Sequence, residues 1–282
     1  MITATTIPDL RAARRADPGL TWGLVPTMGA LHAGHIALVN RARAECDRVG
    51  VSIFVNPAQF NNPDDLKKYP RTLERDLELL AAAGCDLVWT PTPEIMYPPG
   101  YQTYVSVEEV SQPLEGASRP GHFRGVATVV AKLFNVFQPT RAYFGQKDAQ
   151  QVVVIRQMAR DLNFNLEVVV CPTLREPDGL AMSSRNVRLT PDQRAASTVL
   201  YRALTAAEQA WHNDQRDADT LRDLIETLIA TGPLARIDYI SIADPDTLIS
   251  ISGQVDRGLI SLAVYFGEVR LIDNVLVGEE KQ

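Results

Sequence analysis

With 282 residues, 45% of them apolar, the chain has material for a sizeable core, and its length suits one large domain or two modest ones. A net charge of -6 excludes a general nucleic-acid binder, which needs a basic surface to displace counterions from phosphates; a local basic site for a small anion is still allowed. Cys46, Cys85 and Cys171 share no CxxC or CxxH spacing, residues 1–9 lack the basic and apolar regions of a signal peptide, and no apolar run reaches membrane-spanning length, so the chain reads as cytoplasmic with packed, reduced thiols.

The spacing predicts a helix over 7–16 with Pro8 in its first turn, the turn Asp17-Pro18-Gly19, and a strand over 21–25. A helix over 34–48 then leads to a strand over 51–55, a loop over 56–70, a helix over 72–83 ending at Gly84, and a strand over 86–89. Next come a helix over 123–137, a strand at 142–144, a helix over 148–161 and a strand over 166–170. Continuous apolar strands alternating with helices predict a Rossmann-like, doubly wound parallel sheet in an α/β domain over 1–173. From 174 the rhythm changes. Thr190-Pro191-Asp192 signals the start of one long helix to about Trp211, a second helix covers 217–230, and strands follow near 236–242, 259–266 and 269–277. Helices grouped before strands predict a smaller C-terminal α+β domain over 174–282.

Ligands of open parallel sheets bind outside the carboxyl ends of the strands, where the strand order reverses. The chain's polar clusters follow strand ends in this way. Residues 26–32 follow the first predicted strand and 56–60 the second, while 145–148 and 174–186 follow the last two; Arg48-Val49-Gly50, assigned to the opposite edge, carries no comparable set. His32-Ala33-Gly34-His35 is the most informative stretch. It stands where a helix begins, and the unpaired N–H groups and positive dipole end of a first turn suit a phosphate. Two histidines three apart share one face of that turn and can both donate to one phosphate; equally open is that one caps the helix and the other packs.

The segment 178–186 offers Ser183, Ser184 and Arg185 on a flexible backbone, suited to closing over a triphosphate or to a solvated linker between domains. Lys147 reads as a phosphate contact or a surface lysine, and Asp148 as a helix cap. Gln59 and Gln151 are neutral amides suited to hydroxyl and carboxylate groups, or are turn and helix-surface residues. Arg71, Asp76, Arg119, His122 and Arg124 are further candidates, with Asp76 a hard oxygen ligand for Mg²⁺.

Five segments in series, Val25-Pro26-Thr27-Met28-Gly29-Ala30-Leu31-His32-Ala33-Gly34-His35, Phe54-Val55-Asn56-Pro57-Ala58-Gln59-Phe60, residues 116–126, Tyr143-Phe144-Gly145-Gln146-Lys147-Asp148 and Met182-Ser183-Ser184-Arg185-Asn186, resemble the pantoate–β-alanine ligase family of the nucleotidyltransferase superfamily over nearly the full length. The resemblance implies that ATP and (R)-pantoate form a pantoyl adenylate with release of pyrophosphate, and that β-alanine then displaces AMP. It implies catalytic roles for His32, His35, Lys147 and Arg185. It further implies an ATP site lined by Met28, Gly29, Ala30, Leu31, His32, Ala33, Gly34, His35, Gly145, Gln146, Lys147, Asp148, Leu174, Met182, Ser183, Ser184 and Arg185. Pantoate falls to Asn56, Gln59, Arg119 and Gln151, β-alanine to Gln59, and Mg²⁺ accompanies ATP. A homodimer is implied, with neither nucleic acid nor membrane as partner and with the C-terminal domain closing over the site. The HxGH stretch alone also suits nucleotidylyltransferases and class I aminoacyl-tRNA synthetases; acidity and the small C-terminal segment oppose a tRNA-charging role.

Overall fold

Apolar and β-branched runs place six short strands in one parallel sheet: β1 (Ile2–Ala4), β2 (Trp22–Thr27), β3 (Arg48–Ile53), β4 (Leu87–Trp89), β5 (Arg141–Gly145) and β6 (Glu167–Cys171), in the order β1-β4-β3-β2-β5-β6. The helices of this part are α1 (Ile7–Arg15), α2 (Ala33–Glu45), α3 (Pro63–Lys68), α4 (Leu73–Ala82), α5 (Pro93–Met96), α6 (Glu115–Ser118), α7 (His122–Phe137) and α8 (Ala149–Asp161). Successive strands β2, β3 and β4 step one way across the sheet and β5 and β6 the other, so the order reverses between β2 and β5.

The computed structural model describes residues 1–16 and 18–278, which leaves Asp17 of the expected turn outside the described residues. One unit comprises Met1–Gly145 with Val154–Pro172, and the other comprises Gln146–Val153 with the chain from Thr173. The division therefore differs from a single cut after residue 173, since 146–153 groups with the C-terminal unit. None of the described helices is long and apolar enough to cross a membrane.

Three expectations need correction. Residues 48–50 are the first half of β3, not an edge loop, and Trp22 to Leu24 pair with Arg48 to Gly50; α2 ends at Glu45, and Asp47 accepts from the Thr21 backbone N–H at 2.9 Å. The long helix expected after Thr190 is two, α9 (Pro191–Ala196) and α10 (Val199–His212). At the break the Ser197 and Thr198 hydroxyls donate to the Arg194 and Ala195 carbonyls, local bonds that compete with helix continuation. The expected loop over 56–70 contains a 3-10 turn, Pro57–Gln59, and α3.

Beside the sheet, Val39, Ala42, Val49, Val51, Leu80 and Val88 form a core that also takes in Cys46, Cys85 and Cys171, all free and buried. Burial pushes the Cys85 thiol up to about 12. In the C-terminal unit, α10 and α11 (Ala218–Ala230) cover an antiparallel sheet of β7 (Ala235–Ala243), β8 (Gly258–Phe266) and β9 (Val269–Val277), ordered β7-β8-β9. Leu200, Leu204, Ala207 and Trp211 recur at helical spacing on one face of α10 and are buried among Leu221, Ile225, Ile260 and Leu262.

The β2–α2 turn in the first unit has an unusual backbone. Gly29 and Ala30 both lie in the left-handed region, with φ of +81° and +52°, a conformation that Ala adopts only under constraint. The constraint is Asp76 on α4. Its two carboxylate oxygens accept from the Ala30 and Leu31 N–H groups, each at 2.9 Å, and the Thr72 hydroxyl donates to it at 3.1 Å. A Cβ on Gly29 would stand 3.1 Å from Asp76 Oδ2 and would crowd this clamp. Asp76→Ala strands two N–H groups in a site where Asp76 is only 1% exposed. We predict a loss of about 2–4 kcal/mol in urea unfolding; a loss below about 0.5 kcal/mol, the range of an ordinary surface substitution, would show that the turn does not need the clamp.

Candidate active site

The helix that follows this turn starts with two interlocked imidazoles. His32, the N-cap of α2, accepts the Gly34 N–H on Nδ1 at 3.1 Å, and His35 accepts the His32 N–H on its own Nδ1 at 3.3 Å. The rings lie 4.1 Å apart between centroids. A ring nitrogen that accepts cannot carry a proton, so both neutral rings bear their hydrogen on Nε2. Both histidines therefore accept at the helix start, where the spacing left open that one caps and the other packs, and each keeps an Nε2–H.

Further along the first unit, Gln59 ends the 3-10 turn and is 9% exposed. Its Oε1 accepts from Asn56 Nδ2 at 3.0 Å, which turns its Nε2 toward Met28, 3.2 Å from Sδ. The Gln59 carbonyl is held from behind: His122 Nδ1 donates to it at 2.8 Å and Arg119 Nη2 at 3.2 Å. Arg119 Nη1 also donates to His122 Nε2 at 3.2 Å, which fixes the proton of that ring on Nδ1. This close approach of α7 to the turn requires Gly125, where a Cβ would fall 2.3 Å from the Ala58 carbonyl oxygen.

Two residues expected to meet pantoate have other partners in this structure. Asn56, 1% exposed, donates to Gln59 Oε1 and the Gly125 carbonyl and accepts from the Ala58 N–H and the Tyr97 hydroxyl, which uses both hydrogens and both lone pairs of its amide. Arg119 is engaged with Gln59 and His122. Asn56 thus has no polar atom left for a ligand, and Arg119 supports Gln59, directly and through His122, with two of its five N–H groups. Arg71 is exposed, and Arg124 stacks 3.8 Å over Tyr104.

The C-terminal unit carries the second group of expected residues. Gln146, Lys147 and Asp148 form a 3-10 turn, with Lys147 Nζ 3.9 Å from Asp148 Oδ1. Asn274 on β9 donates to the Gln146 and Lys147 carbonyls at 3.0 and 2.9 Å and accepts from Gln146 Nε2 at 3.0 Å. Its neighbour Asp273 forms a two-pronged pair with Arg175, at 2.6 and 3.0 Å, and Arg175 also donates to the Gly179 carbonyl. A cleft lined by Lys147, Ser183, Arg185, Asn186 and Arg270 lies beside this pair.

The segment expected as a flexible loop or linker is ordered at its base. Arg175 and Ala181 bridge in antiparallel fashion, the Met182 N–H donates to the Leu174 carbonyl, and Arg194 clasps Asp178 at 2.7 and 3.1 Å. The Arg194 guanidinium accordingly holds the Asp178 carboxyl below its usual range. Leu174 is 39% exposed, Gln151 is half-buried in the first turn of α8, and Ser183 Oγ accepts from the Arg185 N–H. Asp273 and Asn274 were missed in the sequence because a polar pair in a strand has no spacing signature; only the fold brings it to residues 146–147 and 175.

Asp76 does not fit the part of a metal ligand. Its oxygens are engaged by the 30–31 turn, and among the described residues no group of three or more His, Cys, Asp or Glu could hold an ion. Mg²⁺ retains water readily and commonly rests on substrate phosphates, so a nucleotide-borne ion needs no such cage.

A family model described as pantoate-beta-alanine ligase matches residues 2–276. A pantothenate synthetase of Herpetosiphon aurantiacus is 58% identical over 278 residues, covering 98% of this chain and 100% of that protein; one from Chloroflexus aggregans is 58% identical, covering 96% and 98%. The crystal structure of pantothenate synthetase from Thermus thermophilus superposes with a TM-score of 0.93 at 49% identity, covering 98% of this chain and 99% of that one. A Francisella tularensis pantoate-beta-alanine ligase, complexed with beta-gamma ATP and β-alanine, gives 0.82 at 39% identity over 98% and 97%. With matches of this identity running almost from end to end, the chain belongs to the pantoate–β-alanine ligase family.

Proposed function

We propose that this ligase makes pantothenate in two half-reactions, and that the interlocked imidazoles at the start of α2 carry the first. An (R)-pantoate carboxylate oxygen attacks the α-phosphorus of ATP, the bond to the bridging oxygen breaks, and pyrophosphate leaves. The product is pantoyl adenylate, a mixed anhydride. The β-alanine nitrogen, as the neutral amine, then attacks the pantoyl carbonyl; AMP leaves and one proton is released. The observation that carries this reading is the Nδ1 capping of His32 and His35, which commits both Nε2–H groups as donors at a helix N-terminus following β2. Donors fixed before the reaction need no reorganisation as charge grows on the phosphorus.

In this reading Lys147 and Arg185 neutralise phosphate charge and Ser183 and Ser184 donate to phosphate oxygens, while residues 28–31, Gly145, Gln146, Asp148, Leu174 and Met182 line the nucleotide. Gln59 and Gln151 hold pantoate, and Gln59 also meets β-alanine. Mg²⁺ arrives on the triphosphate, where it offsets negative charge. Closure of segment 178–186 keeps water from the anhydride. No covalent enzyme intermediate is required.

Two experiments test this. His35→Ala removes both the donor and the acceptor for the His32 N–H, and should lower kcat by about 10²–10³ with about 1 kcal/mol of stability. His35→Glu restores an acceptor suited to that capping position but carries no N–H, and should recover the stability without the rate; recovery of rate with Glu would contradict a donor role for the imidazole. Independently, labelled pyrophosphate should exchange into ATP in a manner that requires pantoate and not β-alanine. Exchange that strictly requires β-alanine would exclude a free-standing adenylate step.

A further inference from the structure

Gln59 owes its orientation to a chain of groups that ends at a tyrosine with no assigned part in the reaction. Asn56 cannot be turned over: Ala58 presents an N–H that must meet Oδ1, and Gly125 a carbonyl that must meet Nδ2. With that amide fixed, the remaining Nδ2 hydrogen goes to Gln59 Oε1, and Gln59 Nε2 is thereby aimed the other way. The second lone pair of Asn56 Oδ1 takes the Tyr97 hydroxyl at 2.8 Å, the shortest of the four contacts.

The Tyr97 ring is itself braced. It follows α5, stands 6.3 Å from the Phe54 ring, and meets Tyr101 edge-on at 5.1 Å; Lys132 lies 5.5 Å from its centroid and 4.3 Å from that of Tyr101, and donates to the Met96 carbonyl. Tyr101 meets Tyr104 edge-on at 5.5 Å. Burial and the neighbouring phenols push the Tyr97 hydroxyl above the ordinary phenol range, so it remains a donor at neutral pH.

We infer that Tyr97 is a positioning residue: backbone groups set which way the Asn56 amide faces, and the Tyr97 hydroxyl holds that amide in place, so that the Gln59 carboxamide stays with Nε2 presented as donor to the hydroxy-acid substrate. The inference rests on Gln59 being a pantoate-binding amide. A merely structural tyrosine would affect all substrates alike; one acting through Gln59 affects one substrate, and only while Gln59 is present.

Tyr97→Phe keeps the ring and removes the hydroxyl. The KM for pantoate should rise about fivefold, the loss expected for one neutral hydrogen bond, with the KM for ATP and kcat each changing less than about twofold. In a Gln59→Ala background the same change should add nothing to the pantoate KM. An equal effect in both backgrounds, or an ATP KM rising in step, would overturn the inference. The ¹⁵N–¹H signals of the Gln59 side-chain amide, read without substrate, separate this from the pantoate assignment. If Tyr97→Phe moves them while Gln59→Ala leaves the pantoate KM unchanged, Tyr97 still positions Gln59 and the assignment of Gln59 to pantoate fails. Signals that stay in place overturn the positioning role.

Discussion

Two backbone N–H groups at the start of α2 have imidazole nitrogens as their acceptors, and the chemistry of the first unit follows from that choice. An aspartate would cap the same helix, yet it would present only acceptors and a negative charge there. An imidazole accepts with one nitrogen and donates with the other. His32 and His35 therefore satisfy the helix end and still carry Nε2–H. The turn before them must deliver the chain at the right angle, and it does so through two left-handed residues, with Asp76 gripping the N–H groups of Ala30 and Leu31. Cap, clamp and donor form one connected structure, so a change at Asp76 reaches the imidazoles without touching them.

A second use of the same logic appears around Gln59 and again in the C-terminal unit. Side chains that look like ligand contacts by type serve to hold neighbouring groups in place. Asn56, Arg119 and His122 grip Gln59 from three directions. In the other unit, neighbouring residues of β9 divide the work: Asn274 fixes the backbone of 146–147, and Asp273 fixes Arg175 and with it the base of the 178–186 segment. Polar groups as buried as Asn56 are costly when unpaired, and its amide sits in a filled set of hydrogen bonds.

Much of this was legible in the sequence, for physical reasons that also mark where legibility ended. Long periodic segments such as 123–137 and apolar runs such as 21–25 declare themselves because burial on one face or both demands it. Strand β1 did not, being three residues long with only Ala4 buried. The break between α9 and α10 lay hidden because Ser197 and Thr198 are tolerated inside helices until their hydroxyls find a carbonyl. The HxGH stretch was recognisable by its place at a strand–helix junction, whereas the division between presented and supporting residues was not. Asn56 and Gln59 are both amides three residues apart, and only Gly125 and Tyr97, far along the chain, decide which one is enclosed. Asp76 likewise reads as a free carboxylate until the fold brings the 30–31 turn against it.

The tautomers of the histidines give the most direct test of how the first unit is built to work. In ¹⁵N spectra of histidine-labelled protein near neutral pH, the capping geometry predicts pyridine-type Nδ1 and pyrrole-type Nε2 for both His32 and His35. His122, which donates from Nδ1, should show the reverse pattern in the same spectrum. Protonated Nδ1 on His32 or His35, whether alone or with Nε2, would contradict the capping arrangement and the donor role that depends on it.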